Sequence, residues 1–209
     1  IWVSTLKGIS KINPDTDEIN NYYSDAANGN LSNNNIWQIL CTNDNKIIVS
    51  TVDGLNLYDE KEDKFVRILD KENELPSQYI YSVEEDMYNH IWIGTDKGLV
   101  ELNEDLEIVE RYENTIRDSE IYNIYNDNKG NIWVCTLGNG VFKINLEDKS
   151  VHNYKKEENE SSIPSNNVKD ILVDSKGMLW IATDKGICHF DYEKNKFTNY
   201  KKEPYERNS

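Results

Sequence analysis

The side chains that could bind a ligand are concentrated in four short segments of this 209-residue chain. Each segment leads into a strand-like run, and the four are NGNLSNNN (28–35), LPSQY (75–79), IRDSE (116–120) and IPSNN (163–167). Amide and hydroxyl groups beside aromatic rings suit a neutral polar ligand, such as an oligosaccharide or another small molecule. The residues predicted to bind it are Asn34, Trp37, Gln78, Tyr79, Ser119, Tyr122, Asn166 and Asn167. The alternative is that the Asn and Ser side chains only turn the chain into each strand.

Residues that could catalyse a reaction or hold a metal ion show no such grouping. His90, His152 and His189 fall in a turn, a fourth strand and a third strand of different segments. No metal-ligand spacing links them to the cysteines, and no set of acid–base residues recurs in equivalent loops. The sequence therefore predicts no catalytic residue, no metal site and no cofactor.

The arginines disfavour a sialidase. Such an enzyme holds its substrate's carboxylate with several converging guanidinium groups. None of the four arginines recurs at an equivalent loop position; they are Arg67, Arg111, Arg117 and Arg207. A lyase or hydrolase that uses histidine and acidic residues remains the enzymatic alternative.

Composition narrows the possible partners. The net charge of −15 opposes binding to phosphate backbones, so we expect no nucleic-acid partner and no direct contact with an anionic membrane. No run of about 18 apolar residues is present. Three cysteines, Cys41, Cys135 and Cys188, form no CxxC pair and are predicted to be small buried hydrophobes.

One phrase occurs five times and predicts the scaffold that positions these side chains. The copies are IWVSTLKGISKI (1–12), IIVSTVDGLNLY (47–58), HIWIGTDKGLVEL (90–102), IWVCTLGNGVFKI (132–144) and LWIATDKGICHF (179–190). The Trp position of the phrase recurs after 46, 44, 41 and 47 residues. Repeats of this length, built from short runs rich in Ile, Val, Tyr and Phe, indicate an all-β propeller whose blades have four antiparallel strands.

Fixed and variable spacings divide each unit. The first apolar residue of run one always precedes the Trp position by 12 residues, and the Gly of the phrase precedes the end of run four by 14. Length varies only between run four and the next run one, and in the LGNG turn (137–140). In an up-and-down blade these two connections lie at the same end, so one face of the disc carries variable loops. Ligands usually bind such loops on a rigid scaffold.

The phrase, with a preceding D-x-x-G turn, resembles the repeat of two-component regulator propellers. Trp92, Thr95 and Gly98 carry the match in one unit, whereas Ile48 departs from it by replacing the Trp. The resemblance implies the ligand-sensing, non-catalytic propeller of a bacterial receptor, often one of two seven-bladed propellers, outside the cytoplasm in the periplasm or at the cell surface. It also implies a histidine kinase or a diguanylate cyclase as the output, and ligands that are often oligosaccharides. A protein-interaction propeller is a further alternative.

The repeat boundaries predict a partial propeller that spans residues 1–209. The units are 1–30 (incomplete), 31–74, 75–115, 116–162 and 163–209. Since the first unit lacks its inner strand, we expect an open arc cut from a larger, seven-bladed ring. We expect Trp92, Trp133 and Trp180 to be buried between blades, and the end blades to expose apolar faces through which the fragment self-associates.

Overall fold

The computed structural model describes residues 1–5, 7–24, 31–69, 74–116 and 119–200. This part of the chain forms 19 β-strands in five antiparallel sheets, which we call blades 1 to 5. The all-β propeller fold predicted from the repeat is therefore confirmed. Over the same residues, nothing forms a helix that is long and apolar enough to cross a membrane.

Each blade is an up-and-down sheet whose strands follow chain order from the inner to the outer edge. Blade 1 has three strands: β1 (Trp2–Thr5), β2 (Gly8–Ile12) and β3 (Ile19–Tyr22). Blade 2 has β4 (Ile36–Cys41), β5 (Ile47–Thr51), β6 (Gly54–Asp59) and β7 (Lys64–Ile68). Blade 3 has β8 (Ile80–Glu85), β9 (Ile91–Thr95), β10 (Gly98–Leu102) and β11 (Ile108–Arg111). Blade 4 has β12 (Glu120–Asn126), β13 (Asn131–Leu137), β14 (Val141–Asn145) and β15 (Val151–Tyr154). Blade 5 has β16 (Val168–Val173), β17 (Leu179–Thr183), β18 (Gly186–Asp191) and β19 (Lys196–Tyr200).

The repeated Thr and Gly build the turn between the second and third strands of a blade. In blade 3 the Thr95 hydroxyl donates to the carbonyl of Gly98 at 2.9 Å and accepts from the amide of Lys97 at 3.1 Å. Gly140 shows why the position excludes larger residues, since its φ is +82° and a Cβ there would lie 2.2 Å from the Tyr154 carbonyl. The repeated Thr is therefore structural.

The core lies between neighbouring blades. Trp92 of blade 3 packs with Ile121, Ile124 and Phe142 of blade 4, and Trp133 of blade 4 packs with Phe190 of blade 5. Both indoles are fully buried, as predicted. Each repeat therefore buries its second strand against the next repeat, which is how solenoids and propellers gain stability from modules that have no core of their own.

Trp180 does not follow this pattern, and the expectation that it is buried was wrong. It is partly exposed because, among the described residues, no blade packs on that side of blade 5. Leu172 and Ile187 on the same face are 52% and 46% exposed. Blade 1 lacks an inner strand, and no described strand of blade 5 pairs with it, so the described residues form an open arc.

The cysteines divide in the same way between core and surface. Cys135 and Cys188 are buried, and this burial raises the pKa of both thiols. Cys41 at the end of β4 is exposed, so the prediction of a buried hydrophobe was wrong there. All three are free thiols.

Candidate functional site: an aromatic row on the inner strands

The inner wall of the arc is formed by the first strands of blades 2 to 5. Strands β4, β8, β12 and β16 contact one another in sequence, each lying beside the first strand of the next blade. Each also carries a register shift against the second strand of its own blade, so one residue at its start is left without a partner. The unpartnered residues are Trp37, Tyr81, Tyr122 and Lys169. A bulge of this kind redirects a side chain out of the alternating strand pattern.

Three of these bulged residues and one loop residue form a continuous row of rings, which we call the aromatic row: Trp37, Tyr79, Tyr81 and Tyr122. The ring centroids of Trp37 and Tyr81 are 5.0 Å apart, and Tyr79 lies 5.0 Å from Tyr81. Tyr81 and Tyr122 stack at 5.4 Å with 22° between their planes. Trp37 is 40% exposed and the tyrosines are partly exposed, so the row is an accessible surface that spans blades 2 to 4.

Charged groups of both signs lie near the row. The ammonium of Lys169, at the equivalent bulge of blade 5, lies 4.4 Å from the centre of the Tyr122 ring. Burial, followed by the nearby carboxylate of Glu120, raises the pKa of Tyr81 to about 12, and Asp96 contributes in the same direction. Tyr81 is therefore a neutral hydroxyl at physiological pH, with the carboxylates of Glu120 and Asp96 near it.

The sequence prediction located part of this row. Trp37, Tyr79 and Tyr122 lie in it together, whereas Tyr81 was missed although it is the central ring. The signal was present, because Tyr81 follows Ile80 as Trp37 follows Ile36. Aligning the first residues of all four inner strands would have identified it.

The predicted polar residues lie at the start of the same strands, where they hold loops together. The Asn34 side chain accepts from the amide of Ser24 at 2.8 Å, and that of Asn166 accepts from the amide of Lys156 at 2.7 Å. Gln78 donates to the carbonyl of Leu69 at 3.1 Å. These contacts favour the turn-forming alternative for the three residues, and their binding to a ligand stays a prediction.

The remaining two predicted residues also have partners within the chain. The hydroxyl of Ser119, which is buried, accepts from Asn139 at 3.0 Å. Asn167 donates to the carboxylate of Asp184 at 2.9 Å. Their binding to a ligand likewise stays a prediction.

Hydrogen bonds join the inner strands deeper along the wall. Gln38 of blade 2 accepts from the amide of Val83 in blade 3 at 3.1 Å, and the Tyr125 hydroxyl of blade 4 accepts from the amide of Val173 in blade 5 at 3.2 Å. Between blades 3 and 4 the residue equivalent to Tyr125 is Glu84, which carries a carboxyl group. Its burial raises its pKa to about 7, opposed by a long 3.4 Å bond from the amide of Asn126.

A second cluster of titratable groups lies away from the row, at the junction of blades 3 and 4. Donor atoms of Asp86, His90 and Glu101 lie within 4.8 Å of one another. Glu101 is fully buried and is bonded to His90 Nδ1 and Lys149 Nζ, both at 2.6 Å, and to the Tyr112 hydroxyl at 3.1 Å. The carboxylate of Glu101 is already bonded to an ammonium and a hydroxyl group. The cluster is therefore an ion-pair network that joins two blades.

Over the described residues, the inner wall does not bring histidines together with acidic side chains as a catalytic site would require. The three histidines lie elsewhere: His90 in the turn before β9, His152 on β15 and His189 on β18. The aromatic row with its flanking carboxylates is suited to hold a ligand by ring contacts and charge.

Sequence comparison identifies the repeat. The family described as "Two component regulator propeller" matches residues 74–97, 115–138 and 162–185, each of which runs from the variable loop to the turn after the second strand. Histidine kinase P4 of Formosa agariphila is 28% identical over 177 residues, which are 80% of this chain and 13% of that protein.

Solved structures with the same fold include two extracellular domains from B. thetaiotaomicron. BT4673, described as a one component system, superimposes with a TM-score of 0.79 at 20% identity over 98% of this chain and 30% of that chain. BT3049, described as a hybrid two component system, gives 0.76 at 19% identity over 96% of this chain and 28% of that one. An inactive virginiamycin B lyase from Staphylococcus aureus, solved with quinupristin, gives 0.67 at 17% identity over 94% of this chain and 64% of that one.

These comparisons agree with the repeated Trp–Thr–Gly phrase and with the blades it builds. At such identities the structural likenesses establish the fold alone, and the chain spans less than a third of the kinase and of both extracellular domains. Three segments of the chain therefore match the two-component regulator propeller repeat, and they lie in blades 3, 4 and 5.

Proposed function

We propose that this chain is a ligand-sensing, non-catalytic region of a bacterial two-component signalling receptor, and that it lies outside the cytoplasm. The regulator repeats and the likeness to a histidine kinase support the signalling role. The description of two neighbours as extracellular domains supports the location. A histidine kinase is the proposed output, with a diguanylate cyclase as the alternative.

The observation that carries the sensing role is the aromatic row. Four partly exposed rings, each within contact distance of the next, line the inner wall instead of filling the core. We propose a small molecule or an oligosaccharide as the ligand, with neither a nucleic acid nor the membrane as a direct partner. To signal, the ligand must bind one receptor conformation more tightly than the other.

Thermal-shift screening of the chain against oligosaccharides and small metabolites tests this proposal. A hit should raise the melting temperature by mass action, and Tyr81→Ala should remove the shift. Tyr88→Ala is the matched control, because Tyr88 is a 52% exposed tyrosine in a turn outside the row. A hit whose shift survives Tyr81→Ala would place binding elsewhere, and a panel without hits would argue for the protein-interaction alternative.

The enzymatic alternative requires different side chains on the same surface. A propeller lyase or hydrolase needs acid–base residues that converge where the ligand binds. The described inner wall offers four acidic residues and no histidine on its strands: Glu84, Glu85, Glu120 and Asp170. Recovery of an unchanged ligand after prolonged incubation supports the sensor, whereas a cleaved product would establish the enzyme.

A further inference from the structure

The aromatic row already receives one cation from within the chain. At its blade 5 end the bulge position carries Lys169, whose ammonium lies 4.4 Å from the centre of the Tyr122 ring. The other three bulge positions carry Trp37, Tyr81 and Tyr122. The rings of Trp37, Tyr79 and Tyr81 thus offer an aromatic surface like that of Tyr122. No lysine of the described residues lies over them.

Carboxylates supply the complementary charge around these three rings. Glu120 at the start of β12 and Asp96 in the turn after β9 both act electrostatically on the Tyr81 hydroxyl. The Oδ1 atom of Asp96 is buried and has no hydrogen-bond partner in the described part of the chain. The chain as a whole carries a net charge of −15. Nearby carboxylates, a negative net charge and exposed π-faces together favour cations over neutral or anionic groups.

We propose that the open part of the aromatic row binds a protonated or quaternary amine presented by the ligand. This rests on the proposed ligand-sensing function and specifies its ligand class: an amine-bearing small molecule or amino sugar, and not an acidic or fully neutral one. The rings of Trp37, Tyr79 and Tyr81 contact the ammonium substituents, and the carboxylates of Glu120 and Asp96 neutralise the charge at longer range.

The test compares choline with its uncharged carbon isostere, 3,3-dimethylbutan-1-ol, which has the same shape. Binding is followed by the indole N–H signal of Trp37 in two-dimensional NMR, identified by its loss in Trp37→Phe. The indole N–H groups of Trp92, Trp133 and Trp180 each donate to an aspartate, so their signals serve as internal references. We expect choline to bind on the order of fivefold more tightly than the isostere, the ratio that a partly exposed cation–π contact supports.

Glu120→Gln measures how much the charge of this residue, apart from its shape, contributes to choline binding. It should weaken choline binding and leave the isostere unaffected, whereas Glu193→Gln, an exposed turn residue of the same charge, should change neither. Equal affinities for the two probes would overturn the amine proposal while leaving the row as a binding surface. No movement of the Trp37 signal with either probe would also overturn it, and the thermal-shift screen would then decide the sensing function separately.

Discussion

Asp127 and Trp133 are joined by a hydrogen bond of 3.0 Å from the indole Nε1 to the carboxylate Oδ2, inside the core of blade 4. The other carboxylate oxygen accepts from the backbone amides of Lys129 and Asn131, at 2.8 and 3.0 Å. One side chain thus closes the turn between the first two strands and fixes the orientation of the largest core residue. Asp86 holds Trp92 at 2.9 Å and Asp174 holds Trp180 at 3.0 Å in the same way.

Blade 2, the unit that departs from the repeat, lacks both residues of this pair. Blade 2 has Thr42 in place of the aspartate and Ile48 in place of the tryptophan. Thr42 still closes the turn, since its hydroxyl accepts from the amide of Lys46 at 2.9 Å, and Ile48 is fully buried. A carboxylate without the indole donor would be a buried charge with one bond fewer, so the two replacements are physically coupled.

Trp133→Ala should destabilise the chain by about 3–5 kcal/mol, the usual range for removing a large buried aromatic side chain. Trp37→Ala is the matched control, because that indole is 40% exposed on the inner wall. It should cost less than about 1 kcal/mol, as most surface substitutions do. Urea unfolding of both variants gives the comparison, and similar losses would show that Trp133 is not a core residue.

The blades and the burial of Trp92 and Trp133 could be predicted from the repeat in the sequence. These features depend only on residues close in the chain, or on the neighbouring copy of the same unit. Trp180 was mispredicted because its burial depends on a neighbouring blade that the described arc does not provide. The same residue type at the same position is buried in blades 3 and 4 and partly exposed in blade 5.

The candidate site could be predicted only in part from the sequence, for a different reason. Tyr81 belongs to the row because a bulge redirects it, and a bulge is a property of strand pairing, so only the comparison of all four inner strands could have indicated it. Likewise, Asn34, Gln78 and Asn166 are of residue types common in ligand-binding sites. In the structure, however, their side chains form hydrogen bonds to backbone groups and hold loops together. Asparagine is suited to both roles, so residue type alone could not separate them.

Lys149→Met should destabilise the junction between blades 3 and 4. It leaves the buried carboxylate of Glu101 with only His90 and Tyr112 as partners, and removing one partner of a buried polar group typically costs about 1–3 kcal/mol. Lys194→Met removes an exposed lysine from Asp191 and is the control, for which we expect an unchanged denaturation midpoint. Equal effects of the two substitutions would show that the network does not hold the blades together.

Glu84 should make stability depend on pH. Its folded pKa of about 7 lies above the ordinary value of 4.5, so the folded state retains a proton that the unfolded state releases. Stability therefore falls as pH rises from about 4.5 to about 7, by on the order of 3 kcal/mol for this group, and then levels off.

Glu84→Gln removes this titration, so the variant should gain stability relative to the native chain as pH rises through the same window. Glu147→Gln, an exposed turn residue, controls for the lost negative charge. Denaturant unfolding from pH 4.5 to 8 gives the difference between variant and native chain at each pH. A difference that stays constant, or that has the opposite slope, would contradict the assignment.

The open faces of the end blades should make this chain associate when it is expressed alone. On blade 5, Leu172 and Ile187 lie beside the partly exposed Trp180 along an apolar groove of about 340 Å³. In blades 3 and 4 the equivalent face is covered by the next blade. The exposed face of blade 5 therefore leaves apolar area in water that a second molecule can bury.

The double substitution Leu172→Asp, Ile187→Asp should raise the monomer fraction in sedimentation velocity at a fixed protein concentration. Val109→Asp should not, because Val109 is 50% exposed on the outer strand of blade 3, away from that face. A native chain that sediments as a monomer at all concentrations tested would rule out association through blade 5.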